Sequence, residues 1–191
     1  MSYASAAWIL SWIAAALWSA PASARPGWHR ERFYRLVTIT GVFLLCGVYD
    51  RAPWYGRALW TAADPLGWLL AAITIAGFLF TWWARIHLGR LWSASITRKA
   101  EHHVVDTGPY ALVRHPIYTG IIFATAAMAI ERSSIAALAG LAILTSGWYI
   151  KARLEERFLR EQLGREQYDA YAARVPMLVP FTEFNTSRGK A

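Results

Sequence analysis

Five apolar runs, separated by charged or turn-forming segments, limit what this chain can fold into more than any other feature. They are Tyr3 to Ala20, Phe33 to Tyr49, Pro65 to Ala84, Ile117 to Ile130 and Ile135 to Ile150. A helix that is apolar on every side belongs in the middle of a large protein or in a bilayer. A chain of 191 residues has too little interior for five of them. Only 17% of its residues are charged, where a soluble domain carries about a quarter. The reading is an all-α integral membrane protein with five transmembrane helices, forming one domain over residues 1–191. The last two runs are short for a hydrocarbon layer of about 30 Å, which takes roughly 20 helical residues. They extend into polar flanks or sit in a thinned bilayer. The lone Cys46 lies inside a run and offers neither a disulfide framework nor a zinc site.

Ala20-Pro-Ala22-Ser-Ala24 resembles a signal-peptidase site, but no base precedes Arg25. A secretory signal begins with positive charge, so the first run is kept as a span. With five spans, segments 25–35, 85–115 and 151–191 share one side. They hold 17 of the 20 Lys and Arg. The positive-inside rule makes that side cytoplasmic and puts the N-terminus outside. The net charge of +8 is then mostly a topological signal. Its spread over segments abutting apolar spans argues against a nucleic-acid surface.

Two polar segments fall on the cytoplasmic side and bracket the hairpin of the last two spans. The first is His102 to Gly120, HHVVDTGPYALVRHPIYTG. Gly108-Pro109 marks a turn, and Gly108 would let backbone approach a ligand closely. Pro116 suits the first turn of a helix, whose free N–H groups and positive dipole end suit a carboxylate. The ordinary alternative is a plain helix start with an interfacial Tyr118. Three His close together invite a metal reading. His102 and His103 are adjacent and point apart, and neither a Cys nor an H-E-x-x-H pattern joins them, so no metal is expected. Arg85, Arg90 and Trp92 read equally well as interfacial anchors.

The second segment is Lys151-Ala-Arg153-Leu-Glu155-Glu156, the start of a charged amphipathic stretch running to Ala172 in which Leu163-Gly164 reads as a helix end. Its i,i+4 pairs suit a solvated helix, each contributing about 0.2–0.5 kcal/mol. That account covers Glu155 and Glu156 less well. A carboxylate leaving an apolar span needs a cationic partner. The hairpin returns the chain to one surface, so His115 and Glu155 can meet. Thr182 to Ala191 reads as a disordered tail.

LGRLWS at 88–93, HHVVDTGPYALVRHPIYTG at 102–120 and RLEERFLREQLGREQYDAY at 153–171 together resemble the isoprenylcysteine carboxyl methyltransferase family of integral membrane enzymes. The phospholipid N-methyltransferases are more distantly similar. The resemblance covers about residues 65–180 and is specific as a combination; the first two spans match only as apolar segments. It implies S-adenosylmethionine as cofactor, bound outside any Rossmann fold in a cytoplasmic region. By the same resemblance His102, His103, Val104, Val105, Gly108, Tyr110, His115, Pro116, Ile117 and Tyr118 line the cofactor pocket. Glu155, and with it Glu156, closes the pocket. A base just before the Glu pair handles the acceptor carboxylate; the register leaves Lys151 and Arg153 both open, with Arg114 as a further cation. Lys151 in place of an Arg would lose bidentate carboxylate binding.

Methyl transfer to an ionised carboxylate needs alignment and exclusion of water rather than a base. Orientation can lower the barrier by roughly 7–11 kcal/mol. The expected reaction is carboxyl O-methylation of a lipophilic, isoprenylcysteine-like acceptor. The partners are membrane lipids and a lipophilic small-molecule or lipidated substrate, which enters beside the hairpin. N-methylation of a lipid amine is the same-class alternative; it calls for a base, for which Glu156 or His103 would serve. A non-catalytic carrier or assembly protein is the alternative from another class.

Overall fold

The computed structural model describes residues 2–16, 28–47, 58–89, 92 and 104–182. His102, His103, Arg90 and the tail expected to be disordered lie outside these residues, apart from Thr182. Five long helices appear where the apolar runs are: α1 Ser2–Ala16, α2 Trp28–Cys46, α3 Asp64–Leu88, α5 Pro116–Arg132 and α6 Ile135–Leu163. Two short helices, α4 Pro109–Leu112 and α7 Arg165–Arg174, flank the polar segments. No strand occurs among the described residues.

The expectation of five spans is corrected to two when each helix is judged by its own length and composition. Among the described residues only α3 and α6 are long and apolar enough to cross a membrane. The reasons are local. α1 and α5 have 15 and 17 residues. α2 has 19 but opens on Trp28-His-Arg-Glu-Arg32, so its apolar part is short. The most apolar stretch of α3 is only 22% buried. A core helix of a soluble protein would be covered instead. Trp68, Leu79 and Ile86 of α3 and Leu36 and Ile39 of α2 all face outward. An apolar surface on this scale suits lipid.

α6 corrects a second boundary. The fifth apolar run and the first half of the charged helix form one unbroken helix of 29 residues, ending at Gly164 with φ +88°. At 1.5 Å per residue it is about 43 Å long, longer than a hydrocarbon layer of about 30 Å. The Glu pair sits about 30 Å from its start, at the depth where apolar surroundings end. α7 is a separate helix from Arg165, so the amphipathic stretch to Ala172 is bent at Gly164.

α3 packs along α5, and α2 along α6. Glycine makes both crossings close. A Cβ on Gly77 would meet the Gly120 carbonyl oxygen at 2.7 Å, and one on Gly120 would meet that of Gly77 at 2.6 Å. A Cβ on Gly140 would meet the Leu45 nitrogen at 2.6 Å. The small residues of the α5–α6 hairpin are thus used in packing against α3 and α2, as small residues are in membrane bundles. α1 docks on α3 through indoles: Trp8 Nε1 donates to Thr81 Oγ1 at 2.8 Å and Trp82 Nε1 to Ser11 Oγ at 3.1 Å.

Successive long helices run in opposite directions. At one end the α5–α6 turn meets the segment before α3, where Leu59 N donates to Ser133 O and Ser133 Oγ to Trp60 O. At the other end lie the start of α2, the end of α3, the start of α5 and the charged half of α6. The described parts of the three basic segments therefore meet at one end of the bundle.

Candidate active site

The site is built where α5 begins. Pro116 occupies its first turn, as its missing N–H allows, and His115 is the residue before it. The chain ahead of the helix is pinned by the C-terminal segment: Arg114 N donates to Pro176 O at 2.8 Å and His115 N to Met177 O at 3.1 Å. Thr119 Oγ1 donates to Leu178 O at 2.7 Å. With this turn fixed, Arg114, His115 and Tyr118 face the charged half of α6.

The two glutamates of α6 have different partners. Glu155 accepts from the Tyr118 phenol, at 2.6 and 2.7 Å to its two oxygens. His115 Nδ1 lies 3.6 Å and Lys151 Nζ 3.8 Å from the same carboxylate. Its side chain is 19% exposed, so a ligand can reach it. Glu156 is fully buried. It accepts from Arg114 Nε at 2.7 Å, with His115 Nε2 at 3.5 Å and Arg160 at 3.6 Å. Arg114 Nη1 also donates to the carbonyls of Ala172 and Val175, at 2.8 and 2.5 Å. Glu156 and Arg114 therefore tie α6 to the chain beyond α7.

Aromatic rings surround the open half of the cluster. The Tyr118 ring stacks on His115 at 5.3 Å and on Trp148 at 4.7 Å. Lys151 Nζ lies 5.2 Å from the Tyr118 centroid, 5.3 Å from Trp148 and 5.7 Å from Tyr34, within reach of cation–π attraction. Lys151 is buried, whereas Arg153, two residues on, is exposed. Two residues turn a helix through more than half a circle, so only Lys151 shares the face of Glu155.

Tyr110 is buried on the far side of the turn, with its ring 6.3 Å from that of His87. Its carbonyl accepts from the Tyr171 phenol at 2.7 Å. Burial pushes both phenols above their usual range, so they stay neutral. Gly108 has φ +57°, and a Cβ there would strike the His87 ring at 2.7 Å. The close neighbour that Gly108 admits is thus His87, whose Nε2 is also 2.9 Å from Thr107 Oγ1. Val105 packs against the core that holds Tyr110 and Tyr118, and Val104 against Tyr168 and Tyr171. Ile117 is buried in the first of these cores. No three His, Cys, Asp or Glu side chains form a metal-binding group among the described residues.

The structure brings together Arg114, His115, Pro116, Tyr118, Lys151, Glu155 and Glu156. It leaves Arg153 outside. Trp148 and Tyr34 were not anticipated. Trp148 stands three residues before Lys151 on the same helix face, a signal present in the sequence. Tyr34 carries no such signal, because its place depends on how α2 crosses α6.

Residues 69–161, which carry this cluster apart from Tyr34, match the isoprenylcysteine carboxyl methyltransferase family. Protein-S-isoprenylcysteine O-methyltransferase B of Arabidopsis thaliana is 35% identical over 112 residues, covering 58% of this chain and 51% of that protein. The probable protein-S-isoprenylcysteine O-methyltransferase of Oryza sativa subsp. japonica is 32% identical over 113 residues, 59% and 53% of the two chains. Cobalt-zinc-cadmium resistance protein CzcN of Cupriavidus metallidurans is 29% identical over 154 residues, 80% of this chain and 64% of that one. The chain spans about half the length of the plant relatives it matches. Its two long apolar helices and its likeness to this family fit a membrane protein.

Proposed function

We propose that this chain is an S-adenosylmethionine-dependent methyltransferase that O-methylates the carboxylate of a lipophilic, isoprenylcysteine-like acceptor. The observation that carries the proposal is the grouping of Tyr118, Glu155, Lys151 and Trp148 where the charged half of α6 begins. These residues lie in the family-matched segment, and the plant relatives are named for this reaction.

The chemistry of the donor set fits the cofactor. Glu155 offers an accessible carboxylate to an ammonium or a ribose. The faces of Tyr118 and Trp148 suit a sulfonium or a purine. Trp148 Nε1 is buried with no hydrogen-bond partner among the described residues, a donor held ready for a polar ligand atom. When bound, S-adenosylmethionine supplies an electrophilic methyl group. His115, Tyr118 and Glu155 are proposed to hold it, with Tyr110, Gly108, Pro116, Ile117, Val104 and Val105 shaping the surrounding wall. His102 and His103 are proposed for the same wall from the family resemblance alone.

Lys151 is the proposed acceptor-binding cation. It orients the acceptor carboxylate as a point charge, which restrains ground-state binding less than a bidentate Arg would. Arg114 acts one step removed, by holding Glu156 and the C-terminal segment against α5. Arg153 is assigned to the headgroup or cytosolic surface. Of the two candidate bases for N-methylation, Glu156 is held in a buried pair with Arg114, and His103 lies outside the described residues.

We further propose that the protein is multi-pass, with α3 and α6 crossing the membrane, the N-terminus outside and the basic end of the bundle on the cytoplasmic side. The site then faces the cytoplasm and opens sideways to lipid. Support comes from the alternating helix directions and from the basic segments lying at one end.

The test offers two acceptors side by side to the detergent-purified chain with methyl-tritiated S-adenosylmethionine: a farnesylcysteine free acid and a phosphatidylethanolamine. Label is expected in the acid. Label in the amine lipid alone would replace the proposal by N-methylation, and cofactor binding without transfer to either would remove both acceptors.

A further inference from the structure

We propose that Tyr34, on α2, is a positioning residue that holds the Lys151 ammonium where it meets the acceptor carboxylate. The proposal rests on the reading of Lys151 as the acceptor-binding cation. Tyr34 lies outside the family-matched segment 69–161, so it adds a wall to the site from a part of the chain with no counterpart in the match.

Three observations carry it. Tyr34 is 3% exposed, although residues on either side of it, Phe33, Arg35 and Leu36, all face outward. At the polar end of α2 the inward face carries Tyr34 and, one turn before it, Glu31 with a side chain 14% exposed, and the Tyr34 ring lies 5.7 Å from Lys151 Nζ. The register that delivers it is tightly set. A Cβ on Gly147 would meet Thr38 Oγ1 at 2.7 Å, and one on Gly41 would meet the Leu144 nitrogen at 2.6 Å. Thr38 is one turn after Tyr34 and donates its hydroxyl to the Tyr34 carbonyl at 2.8 Å. Gly147 is one turn before Lys151. The same crossing that brings the backbones together therefore fixes ring against ammonium.

The ring's effect on Lys151 is directional. Glu155 draws the ammonium from the side of its own helix, at 3.8 Å. Tyr118 and Trp148 lie under the same ammonium from α5 and α6. Tyr34 closes the α2 side and keeps the ammonium inside the cluster and off the lipid-facing surface. Without that face, the flexible four-carbon stem regains other rotamers, and the acceptor anion meets its cation less often.

Equilibrium binding of two probes to the full chain in detergent, without cofactor, tests this. The probes are a farnesylcysteine free acid and its methyl ester, which differ only in the charge Lys151 would meet. The wild type should prefer the acid. Tyr34→Leu and Tyr34→Met should each shrink that preference about threefold to tenfold and leave ester affinity alone, as loss of one desolvated cation–π face predicts. Tyr34→Phe, which keeps the ring face, should restore the preference. In a Lys151→Met background, Tyr34→Leu should change nothing further, because the two residues act as one unit. An unchanged acid-to-ester ratio in both Tyr34 variants would overturn the inference, as would equal weakening of both probes. A wild type with no preference for the acid would instead remove the reading of Lys151, and the inference with it. If Tyr34→Leu does not fold, Tyr34→Met carries the same comparison.

Discussion

Glu155 keeps 19% of its side chain in the open and accepts from the Tyr118 phenol; its neighbour Glu156 is closed off by Arg114, His115 and Arg160. The difference follows from helix geometry, since consecutive residues are turned about 100° apart. It predicts different consequences for similar changes. Glu155→Gln should weaken S-adenosylmethionine binding by about tenfold or more, the worth of one hydrogen bond to a charged group, with little loss of stability. Equilibrium dialysis giving a wild-type Kd would take Glu155 out of the cofactor site. Arg114→Ala should act on the fold instead. It leaves a fully buried carboxylate without its main partner, which costs about 3–5 kcal/mol. Thermal melting in detergent should register a large drop; a melting point near that of the wild type would mean that Glu156 finds another partner.

Between α3 and α5 the glycines set the distance, and the site at the end of α5 depends on it. Gly120→Leu should push α5 away from α3, because its Cβ alone would overlap the Gly77 carbonyl. Overpacking of this kind costs about 1–3 kcal/mol or more. Gly67→Ala is the control: nothing lies within 4 Å of its Cβ, and Ala in a helix is favoured over Gly by about 0.5–1 kcal/mol. A destabilised Gly67→Ala beside an unaffected Gly120→Leu, measured by melting, would reverse this account of the packing. Each of the five long helices was readable from its apolar run, and the start of α5 from Pro116. The reach of α6 was not: Lys151 to Leu163 is polar enough to suggest a new element, and only the absence of a Gly or Pro before Gly164 hints at continuity. The span count was also overread, since the run that became α5 is apolar but short.

At the scale of the whole molecule, alternating helices gather the basic segments, the hairpin mouth and both glutamates at one end. Much of that was legible in the charge distribution and in the hairpin rule that returns His115 to Glu155. What the sequence could not supply was side-chain choice within the end: Lys151 inside and Arg153 outside, Glu156 sealed and Glu155 open, and Tyr34 brought in by α2. Those depend on helix rotation and crossing register, which no local pattern records. The central claim, that this assembly makes a methyl ester, is tested most directly on the chemical bond formed. The lipid-extractable product from tritiated S-adenosylmethionine and farnesylcysteine acid would be treated with mild alkali and its vapour-phase counts collected. Release of the label as volatile methanol is the result predicted. Label that is incorporated but stays with the lipid through alkali would contradict carboxyl O-methylation.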